Sequence, residues 1–270
     1  MRPRGVRRWG GYVVLVVVFA IACSLLSWWQ WARRAEALGA IDLVEGNYDQ
    51  APVPVDALLP ELDSWDPAVE WRPVELHGHY LADEALLVRN RPYDGEPGFE
   101  QLVPFELDDG RVFVVDRGWL PVGGEQDLPD DVPAPPSGDV TVVARLRDGE
   151  PELPGRSAPD GQIPTIHLPT VADEVGEPTY TGGYGLLASE DPAVPRPAAA
   201  VKPPADEGPH LSYALQWILF GILAIVGLVW AYRRERRIAA LPVEEQEAAR
   251  APRRRRSVDE EAEDALLDGR

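Results

Sequence analysis

The sequence contains one cysteine and one lysine, and its basic residues are scarce outside the two ends of the chain. A single cysteine, Cys23, excludes a disulfide scaffold, a zinc finger and a CxxC redox or copper-carrier motif. The formal net charge is −19, and no large basic face is available to neutralise phosphates, so a nucleic-acid partner is not expected. The GxSxG, P-loop, GxGxxG and HExxH motifs are also missing from the sequence. We therefore do not expect an enzyme with an independent active site.

The most prominent features of the sequence are two uncharged apolar runs of 22 residues, 10–31 and 211–232. At about 1.5 Å per residue a helix of this length reaches about 33 Å, enough to cross a bilayer core of roughly 30 Å. Tryptophan and tyrosine gather near the ends of the runs, as is typical of residues at a membrane–water interface. The runs predict two transmembrane helices in a protein of the cell membrane.

The arginines that flank these runs predict the orientation. Four arginines precede the first run and four directly follow the second, whereas residues 35–209 carry 35 acidic and ten basic residues. The positive-inside bias places both termini in the cytoplasm and residues 32–209 outside. A cleaved signal peptide or a lipidated Cys23 is the alternative at the N-terminus. Both are disfavoured, because the apolar run continues past Cys23 to a tryptophan cluster and then to Arg33 and Arg34.

The outside segment has the sequence pattern of a mostly-β, α+β domain. Two stretches alternate with a period of two, and Asp109-Gly110 is a hairpin signal. Other short apolar runs lie between turn signals, and a short helix is expected near residues 55–62. The expected strands cover residues 74–80, 85–88, 101–107, 111–115 and 140–146, with weaker candidates at 165–168 and 184–187. Together they predict one antiparallel sheet or small barrel.

The predicted fold class is thus a membrane protein in which two transmembrane α-helices flank one mostly-β extracytoplasmic domain. Residues 191–209 contain six prolines and are expected to form an extended tether. The tail is highly charged and is expected to be a frayed helix or disordered. The predicted segments are a basic N-terminus (1–9), a first helix (10–31), the outside domain (32–190), a proline-rich linker (191–209), a second helix (210–232) and a charged tail (233–270).

His77 and His79 are one candidate metal site. Residues i and i+2 of a strand project from the same face, so both imidazoles could ligate copper or zinc. The alternative is a solvated strand face that Glu75 continues. This alternative is favoured, because the outside domain offers no cysteine or methionine to complete a copper site.

His210, at the start of the second run, is a separate candidate ligand. At 100° per residue, His210, Ala214, Trp217 and Gly221 fall within about 40° of one another on a helix. The two small residues would leave a groove in which a neutral imidazole could coordinate haem iron and an indole could stack on the macrocycle. The alternative is an interfacial histidine beside closely packed helices. Polar residues in the two runs, Gln30 and Gln216, are expected to relieve their burial through an interhelical hydrogen bond.

Four motifs in this order resemble those of the Surfeit locus protein 1 family. The first is Trp29-Gln30-Trp31-Ala32-Arg33, at the end of the first run. The second joins Arg89-Asn90-Arg91 to Gly95-Glu96-Pro97-Gly98. The third runs from Asp109-Gly110 to Asp116-Arg117-Gly118-Trp119, and the fourth is His210-Leu211-Ser212-Tyr213-Ala214-Leu215-Gln216-Trp217. The resemblance covers about residues 10–232, whereas the tail lies outside it.

The resemblance implies an assembly factor for haem–copper cytochrome c oxidase that binds haem a transiently and aids its insertion into the largest subunit. The implied partners are oxidase subunits, haem and the lipid bilayer, and the alternative is a scaffold that stabilises apo-oxidase subunits without binding haem. Arg117 is either a partner of a haem propionate or an ion-pair partner of a local acid. The candidate cofactor-binding residues are His210 as the iron ligand, Trp217, Tyr213, Gln216 and Arg117.

Overall fold

The computed structural model describes residues 3–124, 127–176, 178–243 and 245–246. These residues belong to two compact units, which are a helical unit of residues 1–35 and 208–270 and a barrel unit of residues 36–207. The helices are α1 (Pro3–Asn47), α2 (Leu168–Val175) and α3 (His210–Ala239). The strands are β1 (Val53–Pro54), β2 (Pro73–Tyr80), β3 (Leu86–Val88), β4 (Gly98–Leu107), β5 (Val112–Pro121), β6 (Val140–Arg147), β7 (Gln162–Ile163) and β8 (Tyr184–Asp191).

Two of these helices, α1 and α3, are long and apolar enough to cross a membrane. Most of their large apolar side chains, such as Leu15, Val18 and Ile222, are exposed in the protein. The helix α1 continues beyond residue 31, where the first apolar run ends, as far as Asn47. Alanine, leucine, glutamate and arginine predominate in this continuation, and these residues favour a helix even where the chain becomes charged.

Five strands close into a small barrel in the second unit. The neighbours are β2-β6-β8-β5-β4 in that order, and β2 also pairs with β4 to complete the circle. The pair β5–β8 is parallel, whereas the other barrel pairs are antiparallel. Numbered along the chain, the barrel strands follow the cyclic order 1-2-3-5-4-1. This is the connectivity of an OB-type barrel, a five-stranded Greek-key architecture.

Alternating side chains fill the barrel. On β6, Val140, Val142, Ala144 and Leu146 are buried and the residues between them are half-buried. The same core includes Phe105 from β4 and aromatic and aliphatic side chains from the other strands. Every second residue of a strand faces the same side, so this pattern fixes which side of each strand faces inward.

A second apolar cluster covers the outer face of β4 and β5. Leu102 and Val114 contribute to it from those strands, and Ile163, Leu168 and Val171 contribute from β7 and α2. In OB-folds the second and third barrel strands commonly form the ligand-binding face. Here the protein's own β7 and α2 pack on that face.

Most of the predicted strands are confirmed, including the hairpin at Asp109-Gly110, where β4 and β5 pair antiparallel. The strand predicted at 165–168 is wrong, because α2 begins at Leu168 with a proline in its first turn, a position that favours helix initiation. The helix predicted near 55–62 is present only as a 3-10 turn at Val55–Ala57.

The segment 191–209 was predicted as a tether, but it is attached to the barrel unit at Ala198. The backbone of Ala198 exchanges two hydrogen bonds with that of Trp119 on β5, at 2.8 and 2.9 Å. Further along the chain, α3 continues to Ala239. The charged blocks 253–256 and 259–264 lie outside the described residues.

Candidate functional site

His210 is the first residue of α3 and contacts α1 within the helical unit. Its Nδ1 lies 2.8 Å from Oε1 of Gln30. An amide oxygen can only accept a hydrogen bond, so Nδ1 carries the hydrogen and donates it. In the neutral imidazole this leaves the lone pair on Nε2, which is the atom able to bind a metal. With Gln30 in this orientation, the favoured tautomer of His210 is the one whose Nε2 is unprotonated.

Gln30 and Gly208 lie on opposite ring nitrogens of His210, at Nδ1 and Nε2. Gln30 is only 9% exposed, and its contact with His210 satisfies the buried amide oxygen. A Cβ atom added at Gly208 would lie 3.4 Å from both Nε2 and Cδ2 of His210. Gly208, whose φ is +68°, therefore lies directly beside that edge of the imidazole.

Small side chains bring α1 and α3 close together below His210. The hydroxyl of Ser27 donates to the backbone oxygen of Ala214 at 3.1 Å. Further along the pair, one turn away on α1 and two turns away on α3, a Cβ atom added at Gly221 would meet the Cβ of Cys23 at 3.6 Å. Cys23 and Ala214 are buried. These contacts run in antiparallel register, and such small residues allow close helix approach in membranes.

The predicted face of α3 is present. Ala214 and Gly221 are its buried residues, and Trp217 is half-buried between them, with its ring edge-on to Phe220 at a centroid distance of 5.8 Å. Tyr213 and Gln216 are exposed. None of these positions shows whether haem binds, so the cofactor roles of Trp217, Tyr213 and Gln216 stay predictions.

The predicted hydrogen bond between Gln30 and Gln216 is wrong. Gln30 pairs with His210, and Gln216 lies on the exposed side of α3. Gln30 lies level with His210, whereas Gln216 is six residues further along α3, about 9 Å away along the axis and rotated by about 120° around the helix.

Arg117 lies in the barrel unit and is fully buried. Its Nη2 lies 2.8 Å from Oε1 of Glu190, and its Nη1 donates to Gln101 and to the backbone oxygen of Pro133. The guanidinium also stacks over the ring of Tyr80 at 5.6 Å. The predicted ion pair with a local acid is therefore confirmed. A haem propionate would have to displace Glu190, so we do not include Arg117 in the candidate site.

Next to Arg117, the motif residue Asp116 belongs to a buried group of acids. Burial and the nearby charge of Glu100 raise the pKa of Asp116 to about 8. Burial also raises the pKa of Glu100, although Arg91 lies 2.8 Å from it. Burial of Glu150 is outweighed by hydrogen bonds from Arg91, Thr165 and the Ile166 backbone, which hold its pKa at about 2. Arg91 thus pairs with two of the three acids, and Asp116 is the one that keeps its proton.

Two glycines of the motifs make room for Trp119 and its neighbours. A Cβ atom added at Gly98 would come within 2.3 Å of the Trp119 indole. The indole Nε1 donates to the backbone oxygen of Arg91 at 2.7 Å. A Cβ atom at Gly118, whose φ is +130°, would come within 2.3 Å of the backbone oxygen of Ala198. These motif residues therefore have structural roles in the barrel unit.

His77 and His79 are exposed and pair with residues beside them. His77 contacts Glu75 at 3.1 Å and Thr141 at 3.2 Å, and His79 lies 3.5 Å from Glu106. The described residues contain no group of three or more histidine, cysteine or acidic side chains that could hold a metal ion.

The class defined by this structure is a small barrel domain joined to two long apolar helices, one of which carries a histidine that is hydrogen-bonded to a glutamine of the other. The chain matches the SURF1 family over residues 17–222. An uncharacterized SURF1-like protein of Mycobacterium bovis is 36% identical over 265 residues, covering 92% of this chain and 96% of the relative. The family predicted from the four motifs is thus confirmed, and the chain belongs to the SURF1 family.

Two more distant relatives have names that refer to function or family. Surfeit locus protein 1 of Xenopus tropicalis is 22% identical over 245 residues, covering 83% of this chain and 76% of the relative. The cytochrome oxidase assembly protein SHY1 of Saccharomyces cerevisiae is 32% identical over 119 residues, covering 42% of this chain and 30% of that protein.

The residue that sequence reasoning missed is Gln30 as the partner of His210. The motif containing Gln30 and the motif containing His210 were both recognised in the sequence. Their contact depends on how α1 and α3 are rotated against each other, and hydropathy does not encode this rotation. The polar character of Gln30 within an apolar run was the available signal.

Proposed function

We propose that this chain is a membrane-anchored assembly factor for cytochrome oxidase that holds haem a transiently through His210. The assembly role is supported by membership of the SURF1 family and by similarity to a relative named as a cytochrome oxidase assembly protein. The haem role is supported by one observation above all, the hydrogen bond between His210 and Gln30.

Membrane insertion is part of this proposal. The two long apolar helices expose side chains that water would solvate poorly, and a bilayer would cover them. The antiparallel packing of α1 and α3 places residues 8 and 235 at the same end of the pair, and His210 at the other. With the arginine-rich end in the cytoplasm, His210 faces the outer side of the membrane.

In this proposal haem a is the cargo, and the protein's task is to bind it and then release it. Nε2 of His210 ligates the iron, and Gln30 orients the ring and strengthens its basicity through Nδ1, as partners of metal-bound histidines do. Trp217 lies two turns further along the same face and offers a flat apolar surface to the macrocycle. A carrier with a single histidine ligand binds weakly enough to pass haem to an oxidase subunit.

The test is a reduced-minus-oxidised absorption spectrum of the detergent-purified chain after co-expression with haem a synthesis. We expect a haem a band in the wild type and its loss in His210→Ala. Gln30→Leu removes the acceptor for Nδ1 and should weaken haem binding by about 10- to 100-fold, the usual effect of losing such a partner.

The control is Ser24→Ala, which removes an exposed polar side chain of α1 whose hydroxyl donates to the backbone oxygen of Ala20 in the same helix, and it should leave the haem band unchanged. Equal pigment in the wild type and His210→Ala would contradict the ligand assignment. An absence of pigment in both, together with failed oxidase maturation in cells that lack the protein, would leave the scaffold that binds apo-oxidase subunits.

A further inference from the structure

A cavity of about 860 Å³ lies between α1 and α3 at the end of the helical unit opposite His210. Its size is within the roughly 300–1,000 Å³ that is usual for small-molecule sites. Its lining includes Arg8 and Trp9 of α1, Trp230 and Arg234 of α3, and apolar residues such as Leu15 and Leu228. None of the functional residues described above contributes to it.

The charge at this cavity is positive, although the chain as a whole is acidic. Glu235 is the one acidic side chain among the described lining residues, and it forms an ion pair with Arg8. Arg234 stacks over the ring of Trp230 at 5.6 Å, which directs a cation along the cavity wall. A neighbouring groove that shares Trp9 is lined by Arg233, Arg236 and Arg237.

The aromatic residues at the cavity brace the two helices against each other. The ring of Trp9 meets Tyr232 edge-on at 5.3 Å and Tyr12 at 5.7 Å. Together with the Arg8–Glu235 pair, these contacts connect α1 to α3 where no small residues bring the backbones together. The two helices are therefore braced at this end, and the apolar side chains that line the cavity, such as Leu15, are exposed for contact with an acyl chain.

We propose that this cavity binds an anionic phospholipid, with the phosphate at Arg234 beside the Arg8–Glu235 pair and an acyl chain along the apolar wall. One guanidinium group can donate two parallel hydrogen bonds to the oxygens of a phosphate. Basic pockets between membrane helices on the cytoplasmic side recognise anionic headgroups. The proposal rests on the membrane insertion proposed above, because only a bilayer supplies such a ligand at this end. The lipid would stabilise the helix pair that positions Gln30 against His210.

The experiment measures lipids retained by the full chain, purified in detergent with equimolar phosphatidylglycerol and phosphatidylcholine, by native mass spectrometry. We expect the wild type to retain phosphatidylglycerol in preference to phosphatidylcholine. Arg234→Gln should reduce that preference about fivefold, the effect of about one arginine at an anionic membrane surface. This variant keeps the Arg8–Glu235 pair, so the helix packing remains.

The matched control is Arg33→Gln, which removes one arginine from the other end of the apolar part of α1 and should leave the preference unchanged. Equal retention of both lipids by the wild type, or equal preference in Arg234→Gln, would overturn the proposal. Retention of phosphatidylglycerol only after neutralisation of Asp259, Glu260 and Glu261 would show that the chain's own tail occupies the cavity, which also overturns it.

Membrane insertion is measured separately by resistance of the chain to alkaline extraction from membranes. An inserted chain without lipid preference refutes the lipid site alone, whereas an extractable chain refutes the proposed membrane anchoring. We expect the haem band to be lost in His210→Ala but not in Arg234→Gln. The haem spectra of these two variants therefore test the haem site separately from the lipid site.

Discussion

Asp116 shows at the scale of a single residue how burial changes the charge of a side chain. It is 3% exposed, and its Oδ1 accepts a hydrogen bond from the Gly118 backbone at 2.9 Å. Burial and the charge of Glu100 raise its pKa to about 8, whereas an aspartate in an unfolded chain ionises near pH 4. Between about pH 4 and pH 8 the folded state therefore holds a proton that the unfolded state lacks. The free energy of unfolding consequently falls as pH rises through this window.

We expect Asp116→Asn to stabilise the barrel unit, and to do so more at pH 8 than at pH 5. Asparagine stays neutral at every pH, and its Oδ1 can still accept the hydrogen bond from Gly118. A gain of about 1 kcal/mol in the free energy of unfolding raises Tm by about 2–4 °C for a domain of this size. At pH 8 we expect Tm to rise by about 4 °C. Thermal unfolding of the full chain followed by circular dichroism measures it.

The control is Asp109→Asn in the exposed turn between β4 and β5. A hydrogen bond from Arg111 lowers the pKa of Asp109, so this carboxylate contributes stability above the unfolded pKa and loses it as pH falls. Asp109→Asn should therefore lower Tm slightly near neutral pH and have no effect in acid. A pH-independent gain in Asp116→Asn, or a loss of stability at pH 8, would refute the assignment of a protonated Asp116.

At the scale of elements, local patterns predicted the strands, but their pairing depends on distant residues. The alternation in β2 and β6 and the turn at Asp109-Gly110 are local signals, and all three are confirmed. The closing pair β2–β4 and the parallel pair β5–β8 join strands far apart in sequence. Which strands become neighbours is decided by barrel closure rather than by any one segment. The contact between His210 and Gln30 likewise joins residues far apart in sequence. The sequence therefore indicated each residue but not their pairing.

Gly118 illustrates how one position on β5 controls another element. Its left-handed φ of +130° and the 2.3 Å approach of the Ala198 oxygen leave no room for a Cβ atom. We expect Gly118→Ala to break the Trp119–Ala198 pair and to release residues 191–209 from the barrel. Limited proteolysis of the purified chain should then cut this segment at least tenfold faster than in the wild type.

Gly138→Ala is the control for the backbone conformation alone. Gly138 also has a left-handed φ, +81°, but a Cβ atom there would meet nothing within 4 Å. It should cost only the conformational strain, about 1–2 kcal/mol, without faster cleavage at 191–209. Equal cleavage rates in Gly118→Ala and Gly138→Ala would mean that the contact with Ala198 does not hold the segment.

At the scale of the whole molecule, charge is divided along the chain rather than balanced in each part. Residues 1–34 carry six arginines and no acid, and residues 35–209 carry a net charge of −25. Arginines that flank membrane helices are retained in the cytoplasm, whereas acidic residues contribute little to orientation. The strongly acidic barrel unit is therefore compatible with the proposed export, and the arginines at both termini predict the topology proposed above.

This orientation predicts how single cysteines react in intact cells with a membrane-impermeant maleimide. Ser157→Cys, in an exposed part of the barrel unit, should be labelled from outside, whereas Ser257→Cys should be labelled only after lysis. The wild type provides the background, because its one cysteine is 1% exposed. Labelling of Ser257→Cys in intact cells, with Ser157→Cys protected, would reverse the orientation. His210 would then lie on the cytoplasmic side, and haem would have to reach it from there.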